Sequence, residues 1–298
     1  MTEGIARLIR TADRLRLGSF AERFVELPLD AEWLNEVAAL TQARHGVLRT
    51  YAQRLARLYL SDFDANALTG MYRMQLLPSG GWRRLLGGRP GGRLLDVGAG
   101  SGDITAVLGE CFDEIETTEV SRGMAKRLTR RGLRCHELDL TSARLDVPAF
   151  DAVSLLNVLD RCQRPRTLLE HCLNALKPGG LFIVALALPY RPFYFSGAAT
   201  PEPLERLECE VVASAGPSSN AGTDDERSPA REQSWEDGVR RFLERDLLPR
   251  GLALERLARV PYLSAGDSAR ELYELDDAVA VLTKAENIGQ LASSPAKD

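Results

Sequence analysis

The chain has 298 residues, 44% of them hydrophobic and 27% charged, enough to bury a substantial core in one large domain or one domain with appendages. A formal charge of −4 gives no bulk attraction to nucleic acid, so no nucleic-acid partner is expected. Five scattered cysteines without a C-x-x-C pair, and three histidines far apart, predict reduced thiols and no metal site.

The first ten residues contain no uninterrupted apolar run of the secretory type, and no stretch approaches a membrane span. The expectation is a cytoplasmic, monomeric protein. Ile5, Leu8, Ile9, Ala12 and Leu15 form one helical stripe with arginines beside it. A transit peptide has this pattern too, but Glu3 and Asp13 count against one and favour a helix packed on the domain. Leu34, Val37, Ala38, Leu40 and Thr41, then Val47, Leu48 and Tyr51, continue the helical spacing. Residues 1–75 therefore read as a helical extension packed on a core unit spanning 76–298. Pro78-Ser-Gly-Gly and Gly87–Gly92 bracket a short segment containing Trp82 and mark the transition.

An apolar run, Leu94, Leu95 and Val97, then stops at Gly98, Gly100 and Gly102, and a helical pattern begins at Ile104. A strand feeding a tight turn and a helix brings backbone N–H groups close to a ligand. The G-x-G-x-G spacing, with Asp96 just before it, is similar to motif I of S-adenosylmethionine methyltransferases. Glycines alone would be explained by turn sterics; their companions give the motif its weight. Further strand-like runs lie at Ile115–Val120, Arg134–Leu138, Ala152–Leu156 and Leu181–Leu188. Helical runs at Ser121–Arg131 and Arg166–Leu176 separate them, the second ended by Lys177-Pro-Gly-Gly180. Lys126, Arg127, Arg130 and Arg131 read as the solvated face of the first of these helices.

Glu119 ends the second strand about twenty residues past the glycines, where an acid accepts hydrogen bonds from ribose hydroxyls. It also suits the start of the next helix through the dipole, and the two roles are compatible. Asp139, past the third strand, is either an acceptor for the adenine amine or a solvated carboxylate. Asp96 is expected to orient the glycine turn and approach the methionine amino group. The fourth strand delivers Asn157, Asp160 and Arg161 to the carboxyl edge of the sheet, where chemistry gathers in open parallel sheets. Asn157 and Asp160, three apart, share a face if the chain turns helically there; the alternative is a polar cap on the following segment.

Composition changes abruptly over 200–233, read as a mobile, polar loop insertion. Order resumes at Trp235–Leu248, a helix opened by Ser234 as N-cap with Asp237 at the capping-box position. Two last strands follow near Ala253–Val260 and Ala278–Thr283. The alternation predicts an α/β fold of the Rossmann-like, class I methyltransferase type: a seven-stranded, mostly parallel sheet with helices on both faces.

Leu94–Asp103, Thr118–Ser121 and Leu156-Asn-Val-Leu-Asp-Arg-Cys162 resemble the methyltransferase-like protein 9 (DREV) family. So do Ala185–Pro192, Val260-Pro-Tyr-Leu-Ser-Ala-Gly-Asp267 and Leu275–Val279. The resemblance covers most of residues 70–284 and leaves the first 60 unmatched. It implies methylation by S-adenosylmethionine of the N-pros (N1) nitrogen of histidine in His-x-His segments of proteins. It further implies that Tyr262 lines the target pocket; Tyr190 and Arg191 are expected to border the substrate groove, with Arg161 a further substrate-binding candidate. Animal members begin with a secretory-type signal; this chain does not show one.

Neutral imidazole has one lone-pair nitrogen and one N–H. The lone pair attacks a sulfonium methyl without prior deprotonation, so the enzyme must select a tautomer, position the ring and offset positive charge. Asp160 suits the N–H, and Asn157, which also borders the cofactor, suits the ring or a neighbouring backbone amide. Arg161 would oppose an imidazolium and fits a structural ion pair better. Competing readings are a methyltransferase of a small molecule such as a histidine-containing dipeptide, and an inactive fold serving as a binding partner. The joint presence of Gly98, Gly100, Glu119, Asn157 and Asp160 counts against the second.

Overall fold

The computed structural model describes residues 8–43, 46, 51, 73–88, 91–143, 149–192, 202–210, 234–266 and 270–286. The expectations for Ile5, Val47, Leu48 and 211–233 fall outside these residues.

In chain order the elements are α1 (Arg14–Leu17), α2 (Ala31–Gln42), β1 (Met74–Gln75), α3 (Ser79–Leu85), β2 (Arg93–Val97) and α4 (Asp103–Leu108). Next come β3 (Glu114–Glu119), α5 (Arg122–Arg130), β4 (Arg134–Glu137), β5 (Phe150–Leu156), α6 (Pro165–Ala175) and β6 (Leu176–Ala187). The chain closes with α7 (Trp235–Arg241), β7 (Leu252–Ala265) and β8 (Leu272–Lys284). They form one sheet in the order β1-β7-β8-β6-β5-β2-β3-β4. Strands β2 to β6 pair in parallel, while β8 lies antiparallel between β6 and β7. The seven predicted strands are all present, and β1 adds a two-residue edge pairing to Leu263 and Ser264.

Alternation along the strands sends side chains to two faces. Leu95, Val97, Val153 and Leu155 join a core with α6 and α7, and Leu94, Ala152, Ile183 and Ala185 a second core with α3 and α4. The described N-terminal residues pack on the sheet, with Leu8, Trp33 and Leu40 forming a third cluster with Leu263 and Ala265. Leu17, Phe20 and Phe24 pack into the core shared with α6 and α7, and Val25 N–H donates to Leu257 O at 2.7 Å.

The predicted Ser234 cap is present, and Ser121 caps α5 in the same way. The Ser121 hydroxyl accepts from Met124 N–H at the start of α5, and Ser234 from Asp237 N–H at the start of α7. The predicted Trp235–Leu248 helix widens after Arg241 into a π turn over Phe242–Leu247. Asp246 there is fully buried and accepts Glu208 N–H and Cys209 N–H, both at 2.9 Å. Glu205 in turn accepts from Thr167 N–H and hydroxyl. Residues 202–210 of the predicted mobile insertion are thus tied to α6 and the π turn, with Leu207 and Cys209 buried. Composition averaged over 200–233 hid this anchored stretch.

Candidate active site

A cleft of about 690 Å³ opens along the carboxyl ends of β2, β3, β4 and β5, a size usual for small-ligand sites. Its floor is the glycine turn. Gly98 (φ 72°) and Gly100 (φ 56°) are in the left-handed region. A Cβ on Gly98 would lie 2.8 Å from Val158 Cγ2, whereas one on Gly100 would meet nothing nearer than Met74 Cε at 3.7 Å. The turn is bare backbone toward the cleft, as close ligand approach requires.

Two carboxylates hold this floor. Asp96 is buried and accepts from the Ser154 hydroxyl through Oδ1 and the Thr105 hydroxyl through Oδ2, both at 2.6 Å. Burial pushes its carboxyl above the usual range, and the two hydroxyls oppose that. Glu119 accepts Gly100 N–H through Oε2 (2.9 Å) and Ser121 N–H through Oε1 (2.8 Å). It therefore braces the glycine turn and the N-terminus of α5 together. Asp139 is exposed on the far wall, its Oδ1 accepting Thr141 N–H at 2.7 Å. Val120, Met124, Leu138 and Leu140 line the cleft between these acids.

The opposite end is set by β5 and the hairpin β7–β8. Asn157, at φ 56°, is the one non-glycine residue in the left-handed region among those described, a conformation asparagine tolerates better than most. Its N–H donates to Ala185 O at 3.0 Å, and its Nδ2 donates to Asp277 Oδ2 at 2.5 Å. Its Oδ1 is buried without a partner. Asp160 sits in a 3-10 turn over Leu159–Arg161 and is buried; its neighbours Arg161 and Cys162 line the cleft, and Asp160 itself does not. Its Oδ2 lies 3.5 Å from Arg161 Nε, and its Oδ1 has no hydrogen-bond partner. Burial raises the Asp160 pKa, with Arg161 acting in the other direction. The Cys162 thiol is pushed up to about 12 by burial, so no thiolate nucleophile is offered here.

Tyr262 lines the cleft with its ring buried, and its hydroxyl donates to Met74 Sδ at 2.5 Å. Tyr190 does not line the cleft. It is buried in the first core and its hydroxyl donates to Leu159 O at 3.2 Å, so it braces the turn that carries Asp160. Reading it as a substrate contact rested on its motif, whereas its place beyond the end of β6 turns it inward.

Two contributors had no role in the sequence reading. Met74 reaches the cleft because β1 joins the sheet edge. Asp277 reaches Asn157 because β8 is antiparallel to β6, pairing Ala187 with Asp277. The start of β8, not its end, therefore lies at the carboxyl edge. The signal available was an acid opening the apolar run Ala278–Leu282. Among the described residues, no cluster of side chains could hold a metal, and no helix is long and apolar enough to cross a membrane.

These residues fit S-adenosylmethionine. The bare turn at Gly98 and Gly100 admits a ligand backbone-close, carboxylates at both ends suit ribose and amine donors, and an apolar slot between them suits a purine.

A family model described as DREV methyltransferase matches residues 13–284, a span that includes most of the first 60 residues, where no family motif is legible. The demethylmenaquinone methyltransferase of Renibacterium salmoninarum is 33% identical over 110 residues, 35% of this chain and 46% of that protein. The ubiquinone biosynthesis O-methyltransferase of Alkalilimnicola ehrlichii is 30% identical over 106 residues, 32% of this chain and 41% of that protein. The chain thus spans less than half the length of either. The solved N-methyltransferase NodS of Bradyrhizobium japonicum, complexed with S-adenosyl-L-homocysteine, aligns over 95% of this chain and 98% of its own at 14% identity and a TM-score of 0.40.

Proposed function

Because the chain belongs to the DREV methyltransferase family, we propose that it methylates the N-pros nitrogen of histidine in His-x-His segments of proteins. The protein is an S-adenosylmethionine-dependent methyltransferase, and S-adenosylmethionine is its cofactor. When bound, the cofactor supplies a sulfonium methyl as electrophile. In this reading the turn at Gly98 and Gly100 and the carboxylates of Asp96, Glu119 and Asp139 hold it, with Asn157 at the methyl end.

The observation that carries the histidine reading is Asp160 Oδ1, a buried carboxylate oxygen without a hydrogen-bond partner, on the residue preceding the cleft-lining Arg161 and Cys162. A buried anion lacking full compensation favours an incoming cation. Neutral imidazole brings one N–H; hydrogen-bonded to Asp160, it leaves the other nitrogen's lone pair for the methyl. As methylation proceeds, the ring becomes an imidazolium and its attraction to Asp160 grows, so the interaction is stronger in the transition state than in the ground state. Burial raises the Asp160 pKa, and the neighbouring Arg161 charge works against that rise in favour of the ionised acceptor. Tyr262, its hydroxyl engaged with Met74, offers the ring an aromatic wall. The methylimidazolium then passes its remaining N–H proton to Asp160, leaving neutral methylhistidine to depart.

The test is transfer of labelled methyl to a His-Ala-His peptide, beside peptides with either histidine changed to alanine and an Asp160→Asn enzyme. Histidine-dependent incorporation, reduced about 100-fold or more in the variant, supports the reading. Incorporation into a histidine-containing dipeptide but no peptide would replace it with a small-molecule activity. Tight cofactor binding with no transfer to either would leave a binding protein.

A further inference from the structure

The reaction as described uses Asp160 but not Asp277, the more deeply buried of the two acids. Asp277 is fully buried within β8, where it opens the apolar run Ala278–Leu282 and a carboxylate is costly without compensation. Asn157 is its hydrogen-bond partner; burial, with Asp160 and Asp276 nearby, pushes the Asp277 carboxyl toward its protonated form, Asn157 and Arg161 oppose that, and Oδ2 accepts in either form. Among the described residues no cation bonds it directly.

Asn157 is fixed at three points: its left-handed backbone, its N–H on Ala185 O, and its Nδ2 on Asp277 Oδ2. A carboxamide is nearly symmetric in shape, and only its hydrogen bonds decide which end is oxygen and which nitrogen. With Nδ2 committed to Asp277, the end left over is the acceptor Oδ1, which has no partner in the protein. On the histidine reading the target ring has no hydrogen to give it, since the single N–H goes to Asp160 and the other nitrogen must keep its lone pair. The remaining donors on the peptide are its backbone N–H groups and the ring N–H of the second histidine, and of these the backbone N–H of the target residue is the one held nearest the methylated ring by the covalent chain.

We propose that Asp277 is a positioning residue: by accepting the Nδ2 hydrogen of Asn157 it presents Oδ1 of that side chain to a backbone N–H of the substrate peptide at the target histidine. This rests on the histidine reading above and extends it, because the device selects a polypeptide over a free imidazole compound.

The test compares the His-Ala-His peptide with one in which an ester oxygen replaces the target histidine's N–H. For the wild type, the ester lowers kcat/KM about tenfold, while cofactor affinity is unaffected. Asp277→Leu lowers kcat/KM on the normal peptide by a similar factor and shows no further ester penalty. Asp277→Asn, which keeps an acceptor for Nδ2, retains the penalty. Should Asp277→Leu fail to fold, the pair Asn157→Asp and Asn157→Asp/Asp277→Asn decides. The single change sets two acids face to face and loses activity; the double change reverses the hydrogen bond and restores activity and ester penalty together. An ester penalty that persists in Asp277→Leu, no rescue by the exchange, or weakened cofactor binding in place of the peptide effect would overturn the proposal. If the wild type methylates no histidine peptide, the histidine reading falls. The side-chain amide resonance of Asn157 then tests the clamp alone: a shifted resonance lost in Asp277→Leu supports it, and the resonance of a free carboxamide overturns it.

Discussion

Gly98→Ala probes the turn on which the cleft is built. The substitution places a Cβ on a residue at φ 72°, 2.8 Å from Val158 Cγ2 and 3.3 Å from Cγ1. A non-glycine residue in that region costs about 1–2 kcal/mol, partly offset by about 0.4–1 kcal/mol from the stiffer unfolded chain. Forcing a methyl against a packed neighbour adds about 1–3 kcal/mol. The net loss of stability is expected near 2–4 kcal/mol, read from the midpoint of urea unfolding. The steric part runs through one side chain, so Gly98→Ala and Val158→Ala should be coupled. The double variant should be more stable than the sum of singles implies by about 1–2 kcal/mol. Calorimetric titration with S-adenosylmethionine should show the affinity lost in Gly98→Ala partly regained in the double variant. Additivity within about 0.5 kcal/mol would refute the contact as the cause.

Glu119 holds two backbone N–H groups, and hydrogen bonds to a charged group are worth about 1.5–3 kcal/mol. Glu119→Ala should therefore weaken cofactor binding by at least about tenfold in the same titration; unchanged affinity would remove it from the site. Asp277 keeps its proton to about pH 8 when folded, whereas an unfolded aspartate loses it near pH 4. Unfolding then releases a proton between those values, and stability falls as pH rises through the window, by at most about 1.4 kcal/mol per unit. Asp277→Asn should flatten that slope in urea titrations run from pH 5 to 8, and an unaltered slope would contradict the assignment. Tyr262→Phe removes the hydroxyl that bonds Met74 Sδ but keeps the ring. Denaturant unfolding should register a loss of about 0.5–1.5 kcal/mol; a larger loss would mean the hydroxyl has partners beyond Met74.

The parts of the site carried by parallel strands were legible in the sequence. A strand ending in Asp96 and alternating glycines, an acid closing the next strand at Glu119, and Asn157 closing the fourth each follow from local pattern and one topological rule. Contributions that depend on how the far side of the sheet is threaded were not. Asp277 enters through the antiparallel insertion of β8 and Met74 through a two-residue pairing; neither has a local period. Tyr190 shows the converse, since a motif can mark a residue without saying whether it faces ligand or core. The anchoring of 202–210 depends on Asp246 in the π turn, 38 residues beyond Glu208, a separation that composition cannot register.

The central claim is methyl transfer to one nitrogen of a histidine ring through Asp160. Its most direct test is hydrolysis of the labelled His-Ala-His product and separation of the two methylhistidine isomers, with wild type and Asp160→Asn run side by side. The account predicts label in the N-pros isomer alone and about 100-fold less of it with the variant. Label in the other isomer, on another residue, or at equal levels with both enzymes would contradict it.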